Sequence, residues 1–180
     1  MIQSEISGQM VIPAGRFTLR PVRPSDLGLI ELFAGDERLA RMTRNIAHPL
    51  PPGAVSLFLD RVSKPDSAEK VWAIDGTAQD AGELLGLMEL EQVTEGQSEV
   101  SYWIAPQFWN TGLASEALNA LVAANPLDDV SMVASIFQDN PASAKVVTNA
   151  GFALIGESEV FCLARNGMVD TWDYVLRLKE

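Results

Sequence analysis

An apolar strand, a short loop and a helix follow one another without interruption in SEVSYWIAPQFWNTGLASEALNALVAAN, the stretch from Ser98 to Asn125. Its first part carries aromatic and β-branched residues, and its last part repeats apolar residues at helical spacing until Asn125-Pro126 ends the helix. A second apolar strand, VSMVASIF, begins at Val130. A strand, a helix and a strand in this order predict a unit packed within a sheet, and they restrict the chain to folds that mix helices with strands.

Shorter elements precede this unit. The segment RFTLRPV (Arg16–Val22) alternates apolar residues on one side and predicts a strand. The runs KVWAID, ELLGLMELEQV and SEVSYWIA are separated by turn residues and predict an antiparallel meander. Between the first strand and the meander, the pattern predicts a helix from a Ser25 N-cap to Gly35, a short helix over Asp36–Met42, a proline-rich loop, and a helix with apolar residues from Val55 to Val62.

The chain after Phe137 adds a helix and a hairpin. NPASAKVVTNAGF places Asn140 at a helix N-cap and Gly151 at its stop, and the last two strands turn at Asn166-Gly167. The order of elements predicts one domain over residues 1–180, of mixed α/β (α+β) class. We expect a central mixed, mostly antiparallel sheet of about seven strands with helices on both faces, and a flexible or peripheral segment over residues 1–14.

The charge balance excludes several classes of partner. The chain carries a formal net charge of −11, which argues against nucleic acid and anionic membranes because both require a basic face. With one cysteine (Cys162) and one histidine (His48), it has no disulfide framework and no zinc site, and we predict no metal. We find no signal peptide and no apolar run of membrane-spanning length, so we expect a cytoplasmic protein.

The start of the helix after the third meander strand allows two interpretations. In the first, Asn110 or Thr111 is an ordinary N-cap. In the second, the unpaired N–H groups of the first turn and the positive end of the helix dipole hold a phosphate-bearing cofactor. Gly112 would let such a ligand approach the backbone without a Cβ in the way. This stretch taken alone fits both interpretations.

The same stretch resembles motif A of the GNAT superfamily of acyl-CoA-dependent N-acetyltransferases. It is most similar to the branch that includes the ribosomal-protein N-terminal acetyltransferases, which typically reads Tyr-Trp-Gly-Lys-Gly-Tyr-Ala-Thr-Glu-Ala. Here the frame is Phe-Trp-Asn-Thr-Gly-Leu-Ala-Ser-Glu-Ala, from Phe108 to Ala117. Asn110 replaces the first glycine, Thr111 replaces the basic residue, and Ser101 replaces a glycine of the preceding strand.

A second block agrees in order and distance. Motif B of the family reads Asn-x-x-Ser and then a short apolar helix ending in Gly-Phe, and this chain has Asn140, Ser143 and Gly151-Phe152. Many members carry a tyrosine four residues beyond the serine, where this chain has Val147. The C-terminal ARNGMVDTWDYVLRL is similar to the last hairpin of the family, so the resemblance extends from Arg16 to the end of the chain.

The resemblance implies the GNAT fold and acetyl-CoA as co-substrate. It implies that Asn140 hydrogen-bonds the pantetheine arm and that Ser143 lies near the departing thiolate, although both residues equally suit structural roles as an N-cap and a first-turn serine. The pantetheine would pair with the strand end at Trp103, Ile104 and Ala105 as an added strand. The pyrophosphate would be held by the backbone N–H groups of Asn110, Thr111, Gly112, Leu113 and Ala114.

Attack by an amine requires a group that removes its proton, and a carboxylate is the usual general base. The candidates are Glu89 and Glu91, which share one strand face, together with Glu99, Glu157 and Glu159. Each also fits a solvated surface carboxylate. In the family, the helix and loop before the meander form part of the acceptor pocket. The resemblance therefore predicts Arg44 and His48 there, with a polar surface position as the alternative for His48.

The sequence therefore predicts an N-acetyltransferase that moves an acetyl group from acetyl-CoA to a primary amine, on a small molecule or a protein N-terminus. Attack would be direct, in a ternary complex, because Cys162 lies a whole strand beyond motif B. The acidic surface favours a cationic acceptor. The alternative, motivated by Asn110 and Val147, is a catalytically degenerate GNAT-fold module that binds CoA or a protein partner without turnover. Both a monomer and a homodimer are compatible with the sequence.

Overall fold

Strands and helices follow the predicted order through the part of the chain that the structure describes. The structure, a computed structural model, describes residues 8–180, so the prediction for residues 1–7 lies outside it. The strands are β1 (Ile12–Pro13), β2 (Thr18–Pro21), β3 (Glu69–Asp75), β4 (Gly86–Thr94), β5 (Gln97–Ile104), β6 (Ser131–Phe137), β7 (Ala153–Cys162) and β8 (Gly167–Arg177). The α-helices are α1 (Leu27–Ala34), α2 (Glu37–Ala40), α3 (Ala54–Val62), α4 (Leu113–Ala124) and α5 (Pro141–Asn149).

Within residues 8–180 the strands form one eight-stranded sheet in the order β1-β2-β3-β4-β5-β6-β8-β7. Strand pairs across it are antiparallel, apart from the parallel pair of β5 and β6. This parallel pair runs from Gln97 opposite Ser131 to Glu99 opposite Val133, and then stops. Beyond Glu99 the two strands diverge, which opens a gap in the sheet toward their C-terminal ends.

Helices cover both faces of the sheet, as predicted. On one face Trp72, Ile74 and Met88 pack with α4 and α5 in a single apolar cluster. On the other face their strand neighbours Val71, Ala73 and Leu87 pack with α1 and α3. Alternate residues of a strand point to opposite faces, so two separate cores form from the same strands.

Two features differ from the prediction: the sheet has an additional strand, β1, and α1 has a different N-cap residue. β1 was not predicted; Ile12 is buried and pairs with Leu19 of β2, which makes eight strands rather than seven in the described residues. The prediction of Ser25 as an N-cap is wrong, because Ser25 lies inside a 3₁₀ turn and Asp26 is the N-cap of α1. The Asp26 carboxylate instead accepts hydrogen bonds from the buried guanidinium of Arg20, at 2.8 and 2.9 Å.

Candidate active site

Two cavities meet in the gap between β5 and β6. The carboxylate cavity, of about 350 Å³, is lined by Glu89, Glu91 and Glu99 and by side chains of α1 and α3. The loop cavity, of about 320 Å³, is lined by the chain from Trp109 to Ser115 and by α5. The residues that line both cavities are Met42, Thr43, Tyr102, Trp103, Asn140 and Ser143.

The loop cavity is built on the N-terminus of α4. Gly112 is the N-cap, with φ of 79°, and it supplies no side-chain cap. The predictions of Asn110 or Thr111 as the cap are therefore wrong; the Thr111 hydroxyl instead donates to the carbonyl of Phe108. The first intrahelical bond runs from the N–H of Glu116 to the carbonyl of Gly112, at 3.1 Å. The preceding first-turn N–H groups have no intrahelical acceptor, which is the arrangement that binds anions at helix N-termini.

Asn110 occupies the position where relatives have glycine. Its φ is 61°, in the left-handed region that glycine enters without strain and that asparagine tolerates better than most residues. The backbone therefore keeps the glycine-type conformation despite the side chain. Asn110 therefore departs from the family motif in sequence, while the loop keeps its conformation.

Arg16 holds this loop from outside. Its Nη2 donates to the carbonyl of Thr111 at 3.0 Å, and its Nε donates to the carboxylate of Glu116 at 2.6 Å. The backbone N–H of Arg16 donates to the same carboxylate at 3.1 Å. These bonds fix the Thr111 carbonyl on the β1–β2 side of the loop, and they tie the loop to the first turn of α4.

The end of β5 presents only part of its backbone to the gap. The N–H of Ala105 donates to the carbonyl of Leu85 at 2.9 Å, so Ala105 is bound within the sheet. Because hydrogen-bonded and non-hydrogen-bonded pairs alternate along an antiparallel ladder, Trp103 also faces β4, whereas Tyr102 and Ile104 direct their backbone groups toward the gap. The Ile104 carbonyl accepts from the indole N–H of Trp109 at 2.7 Å.

The N-terminus of α5 brings two polar side chains to the junction of the cavities, where they meet Tyr102 of β5. Asn140 caps the helix by accepting from the N–H of Ser143, at 3.2 Å. The Ser143 hydroxyl lies 2.8 Å from the hydroxyl of Tyr102 on β5, and either atom can be the donor. Burial raises the pKa of Tyr102 to about 12, against the opposing effect of its bond to Ser143, so the phenol is protonated at neutral pH.

A row of carboxylates runs across β3, β4 and β5, from Glu69 at the edge of the carboxylate cavity to Glu91 and Glu99 in its lining. The strand register places Glu69 opposite Glu91, and Glu91 opposite Glu99. Glu99 pairs with Arg44 at 2.6 Å, and Glu69 pairs with Arg61 at 3.1 Å. Glu89 lies two residues before Glu91 on the same face and, within residues 8–180, makes no hydrogen bond or ion pair.

Glu89 has the most unusual carboxyl group of this cavity. Burial raises the pKa of Glu89 to about 7, and the charges of Glu69 and Glu91 act in the same direction. Arg61 and Arg44 partly oppose this rise. A carboxyl group with a pKa near neutrality is partly ionised at neutral pH, and its ionised form is a stronger base than an ordinary carboxylate. The physical cause is the removal of water by the apolar wall that α1 and α3 form.

The structure brings most of the predicted site residues to these cavities. Arg44, Glu89 and Glu91 line the carboxylate cavity, and Ile104 lines the loop cavity together with the predicted phosphate-binding residues. The residues that line both include Trp103, Asn140 and Ser143.

Three predicted residues lie elsewhere. Glu157 lies on β7 opposite Trp172 of β8, and Trp172 lies opposite the buried Ile136 of β6. Residues paired across strands point to the same face, so Glu157 faces the α4–α5 side of the sheet, away from Glu89. His48 lines neither cavity, and its Nε2 is 4.0 Å from Glu37. Ala105 lines neither cavity and is fully buried in the apolar cluster formed with α1 and α3.

Cys162 does not line either cavity. Its thiol is buried and donates to the carbonyl of Thr43 at 3.2 Å. This position agrees with the expectation that the cysteine takes no part in a covalent relay. It joins the end of β7 to the loop after α2.

Two residues of the site were missed from the sequence. Tyr102 lies in the quoted strand, and strand alternation places its side chain opposite that of Trp103, on the α5 face. Strand alternation alone predicts this face for Tyr102, whereas the family motif places its tyrosine on α5, at the position of Val147. Arg16 gives no such signal in the sequence, because Thr111, which it contacts, lies 95 positions away in the chain.

The described residues contain no helix that is long and apolar enough to span a bilayer. The same part of the chain has no group of three or more His, Cys, Asp or Glu side chains placed to hold a metal ion.

Comparison with known proteins identifies the family. A model of the acetyltransferase (GNAT) domain matches residues 16–153. A search of curated proteins finds no significant match.

Several solved structures share the fold. A RimL ribosomal-protein α-N-acetyltransferase in complex with coenzyme A has a TM-score of 0.81 at 17% identity, covering 94% of this chain and 98% of its own. RimJ of Mycobacterium smegmatis in complex with a CoA disulfide has a TM-score of 0.79 at 18% identity, covering 95% and 88%. A spermidine N-acetyltransferase from Vibrio cholerae in complex with CoA and spermine has a TM-score of 0.76 at 19% identity, covering 91% and 96%. Since the family model spans well over half of the chain, the chain belongs to the GNAT acetyltransferase family.

Proposed function

We propose that this protein transfers an acetyl group from acetyl-CoA to a primary amine. The observation that carries the proposal is the junction of the two cavities, where a hydrogen-bonded Tyr102–Ser143 pair meets a cavity floored by Glu89. One cavity suits a phosphate-bearing donor and the other suits a cation. Solved structures with this fold include a spermidine N-acetyltransferase and a ribosomal-protein α-N-acetyltransferase, both in complex with CoA.

The loop cavity fits the donor. The unpaired N–H groups at the start of α4, with Gly112 as a side-chain-free N-cap, would hold the pyrophosphate without a basic residue in the loop. Tyr102 and Ile104 would offer backbone groups of β5 to the pantetheine arm, in the manner of strand addition. Among the predicted pantetheine contacts, we therefore favour Ile104 over Trp103 and Ala105. Asn140 lines both cavities and would contact the same arm.

Glu89 is our general base. The acceptor arrives as an ammonium ion, and the ionised Glu89 carboxylate removes one proton so that the nitrogen lone pair is free to attack. We favour Glu89 over Glu91 because Glu91 is exposed, and over Glu157 because Glu157 lies on the other face of the sheet. Holding amine and thioester in adjoining cavities supplies the proximity that this reaction needs.

Tyr102 and Ser143 complete the proton balance. As the new C–N bond forms and the C–S bond breaks, the sulfur leaves with an electron pair and requires a proton. The Ser143 hydroxyl donates that proton, and Tyr102 replaces it through their shared hydrogen bond. The pair takes the place of the tyrosine that many family members carry at the position of Val147. The proton taken by Glu89 returns to solvent. The nitrogen loses a second proton as the amide forms, and this proton restores the phenol of Tyr102, so that one proton is released for each acetyl group transferred.

A module that binds CoA without turnover is the second candidate. It is favoured by Asn110 in place of a glycine and by Val147 in place of a tyrosine. The left-handed backbone at Asn110 and the Tyr102–Ser143 pair both weaken that argument.

Calorimetric titration with acetyl-CoA, followed by a thiol-release assay over a panel of primary amines, separates the two candidates. We expect binding in the micromolar range and thiol release that depends on the amine. Absence of binding at high micromolar concentration would overturn the assignment of the loop cavity. Binding without amine-dependent release would support the module instead.

A further inference from the structure

The carboxylate cavity carries more negative charge than its own residues neutralise. Its charged lining consists of Glu89, Glu91, Glu99, Arg44 and Arg61. Arg44 is engaged by Glu99, and Arg61 is engaged by Glu69 just outside the lining. Each arginine therefore already has a carboxylate partner, and two carboxylates of the cavity have none.

Glu91 is the second of these unpartnered groups. In the described part of the chain its carboxylate makes no hydrogen bond or ion pair, and the residue is exposed and lines the cavity. Glu89 and Glu91 lie on the same face of β4 because they are two residues apart, which separates their Cα atoms by about 6.8 Å. The cavity therefore presents two anionic groups one strand repeat apart.

Much of the cavity lining is apolar. Ile30 of α1 and Val55 and Phe58 of α3 line the cavity, opposite Leu87 on β4. An apolar wall of this kind favours contact with methylene groups over contact with hydrogen-bonding groups. The volume of about 350 Å³ suits a small molecule.

We propose that Glu91 forms a second cation subsite and that the acceptor is a small aliphatic dication, such as an α,ω-diamine. One nitrogen is deprotonated by Glu89 and acetylated, while the other stays charged and pairs with Glu91. A spacer of about four to six methylenes matches the separation of the two carboxylates and lies against the apolar wall. This proposal rests on the proposed acetyl transfer and narrows its substrate class. An α-amino group of a protein pairs with Glu89 alone, unless the following residue is basic.

Matched amines test the subsite. The values of kcat/KM are measured by thiol release for n-alkylamines, for α,ω-diamines of equal chain length, and for short peptides with and without a basic second residue. We expect the best diamine to exceed its monoamine by about two- to fivefold, the range for an ion pair with an exposed carboxylate. Glu91→Gln is expected to remove that preference, so that the ratio of kcat/KM for the diamine to kcat/KM for the monoamine falls toward one.

The control is Glu95→Gln, which changes a carboxylate in the turn of the same hairpin, outside both cavities. It is expected to retain the diamine preference, and thermal unfolding of both variants checks that they are folded. A second variant, Glu91→Lys, is expected to place diamines below monoamines.

Three results would overturn the subsite. They are equal kcat/KM for monoamines and diamines in the wild type, an equal loss for both amines in Glu91→Gln, or peptides turned over in place of diamines. In each of these cases acetylation of some amine still supports the proposed function. Failure of every amine, with acetyl-CoA bound, contradicts the proposed function as well and favours the binding module.

Discussion

The hydroxyl of Tyr102 lies 2.8 Å from the hydroxyl of Ser143, and this contact joins β5 to α5 where the two cavities meet. Burial keeps the phenol protonated, because it raises the pKa of Tyr102 to about 12. A protonated phenol bonded to a serine hydroxyl can supply a proton through that hydroxyl. The pair is formed by residues 41 positions apart in the chain.

Removal of either hydroxyl is expected to lower kcat through the loss of the acid. Tyr102→Phe and Ser143→Ala should each reduce kcat by about 10²-fold, within the range for general acid catalysis. Because the two groups act as one relay, the double variant should be little worse than the more damaging single variant. Tyr174→Phe, which changes a buried tyrosine of β8 outside both cavities, serves as the control. Losses that simply add in the double variant would contradict a relay.

The activity should depend on the ionisation of Glu89. With the pKa of Glu89 at about 7, the active base is the ionised form, so kcat/KM should rise with pH and level off above that value. Besides burial, the charges that set this pKa are Glu91 on the same strand and Glu69, Arg61 and Arg44 on neighbouring parts of the chain. Glu89→Gln should lower kcat/KM by about 10²-fold or more and abolish the rise near pH 7.

The comparison requires an amine whose own pKa is known, because an acceptor also loses a proton as the pH rises. If kcat/KM of Glu89→Gln still rose with pH as in the wild type, the rise would belong to deprotonation of the amine, and Glu89 would not be the base. Glu95→Gln should reproduce the wild-type profile.

Glu89 should also affect stability, with a definite sign. Its folded-state pKa of about 7 lies above the ordinary value of 4.5, so folding favours the protonated form. Below about pH 4.5 the group is protonated in both states, and stability is lost as the pH rises toward 7. Glu89→Gln carries no charge and should therefore exceed the wild type in free energy of unfolding by roughly 2 kcal/mol at pH 8.5.

Urea unfolding of both proteins at pH 4.5 and pH 8.5 measures this difference. The gap between variant and wild type should be larger at the higher pH. A gap that does not change with pH would show that the Glu89 carboxyl is solvated.

The loop before α4 should bind CoA with either asparagine or glycine at position 110. Asn110→Gly keeps the left-handed backbone and should change the Kd for CoA by less than about threefold. Asn110→Ala should lower the free energy of unfolding by about 1 kcal/mol, because a Cβ without a polar group is strained at this φ. Calorimetry with CoA and urea unfolding provide the two measurements. A large gain in affinity for the glycine variant would mark the natural chain as a weakened binder.

Much of the fold was accessible from the sequence because local patterns decided it. The strand–loop–helix run from Ser98 to Asn125 and the Asn140 cap each follow from residues close together in the chain. β1 was missed because two residues show no periodicity, and its strand is defined by pairing with β2. Ser25 was misassigned because Arg20, on another element, engages Asp26 and shifts the helix start.

The site was accessible where motifs carry it and inaccessible where tertiary contacts do. Gly112 and Ser143 were identified by their place in ordered motifs. The sequence could not choose among its carboxylates, because the choice of Glu89 depends on burial beneath α1 and α3. Arg16 and its bond to Thr111 depend on how β1 and β2 lie against α4, and no local pattern encodes that contact.

The central claim is direct transfer of one acetyl group between substrates held in adjoining cavities. Mass spectrometry of a reaction with isotopically labelled acetyl-CoA and a primary amine tests it, with free thiol measured in the same sample. The account predicts one labelled acetyl-amine for each CoA thiol released, and an unchanged mass of the intact protein. Thiol release without acetylated amine, or a labelled acetyl group on the protein that passes to added amine, would contradict it.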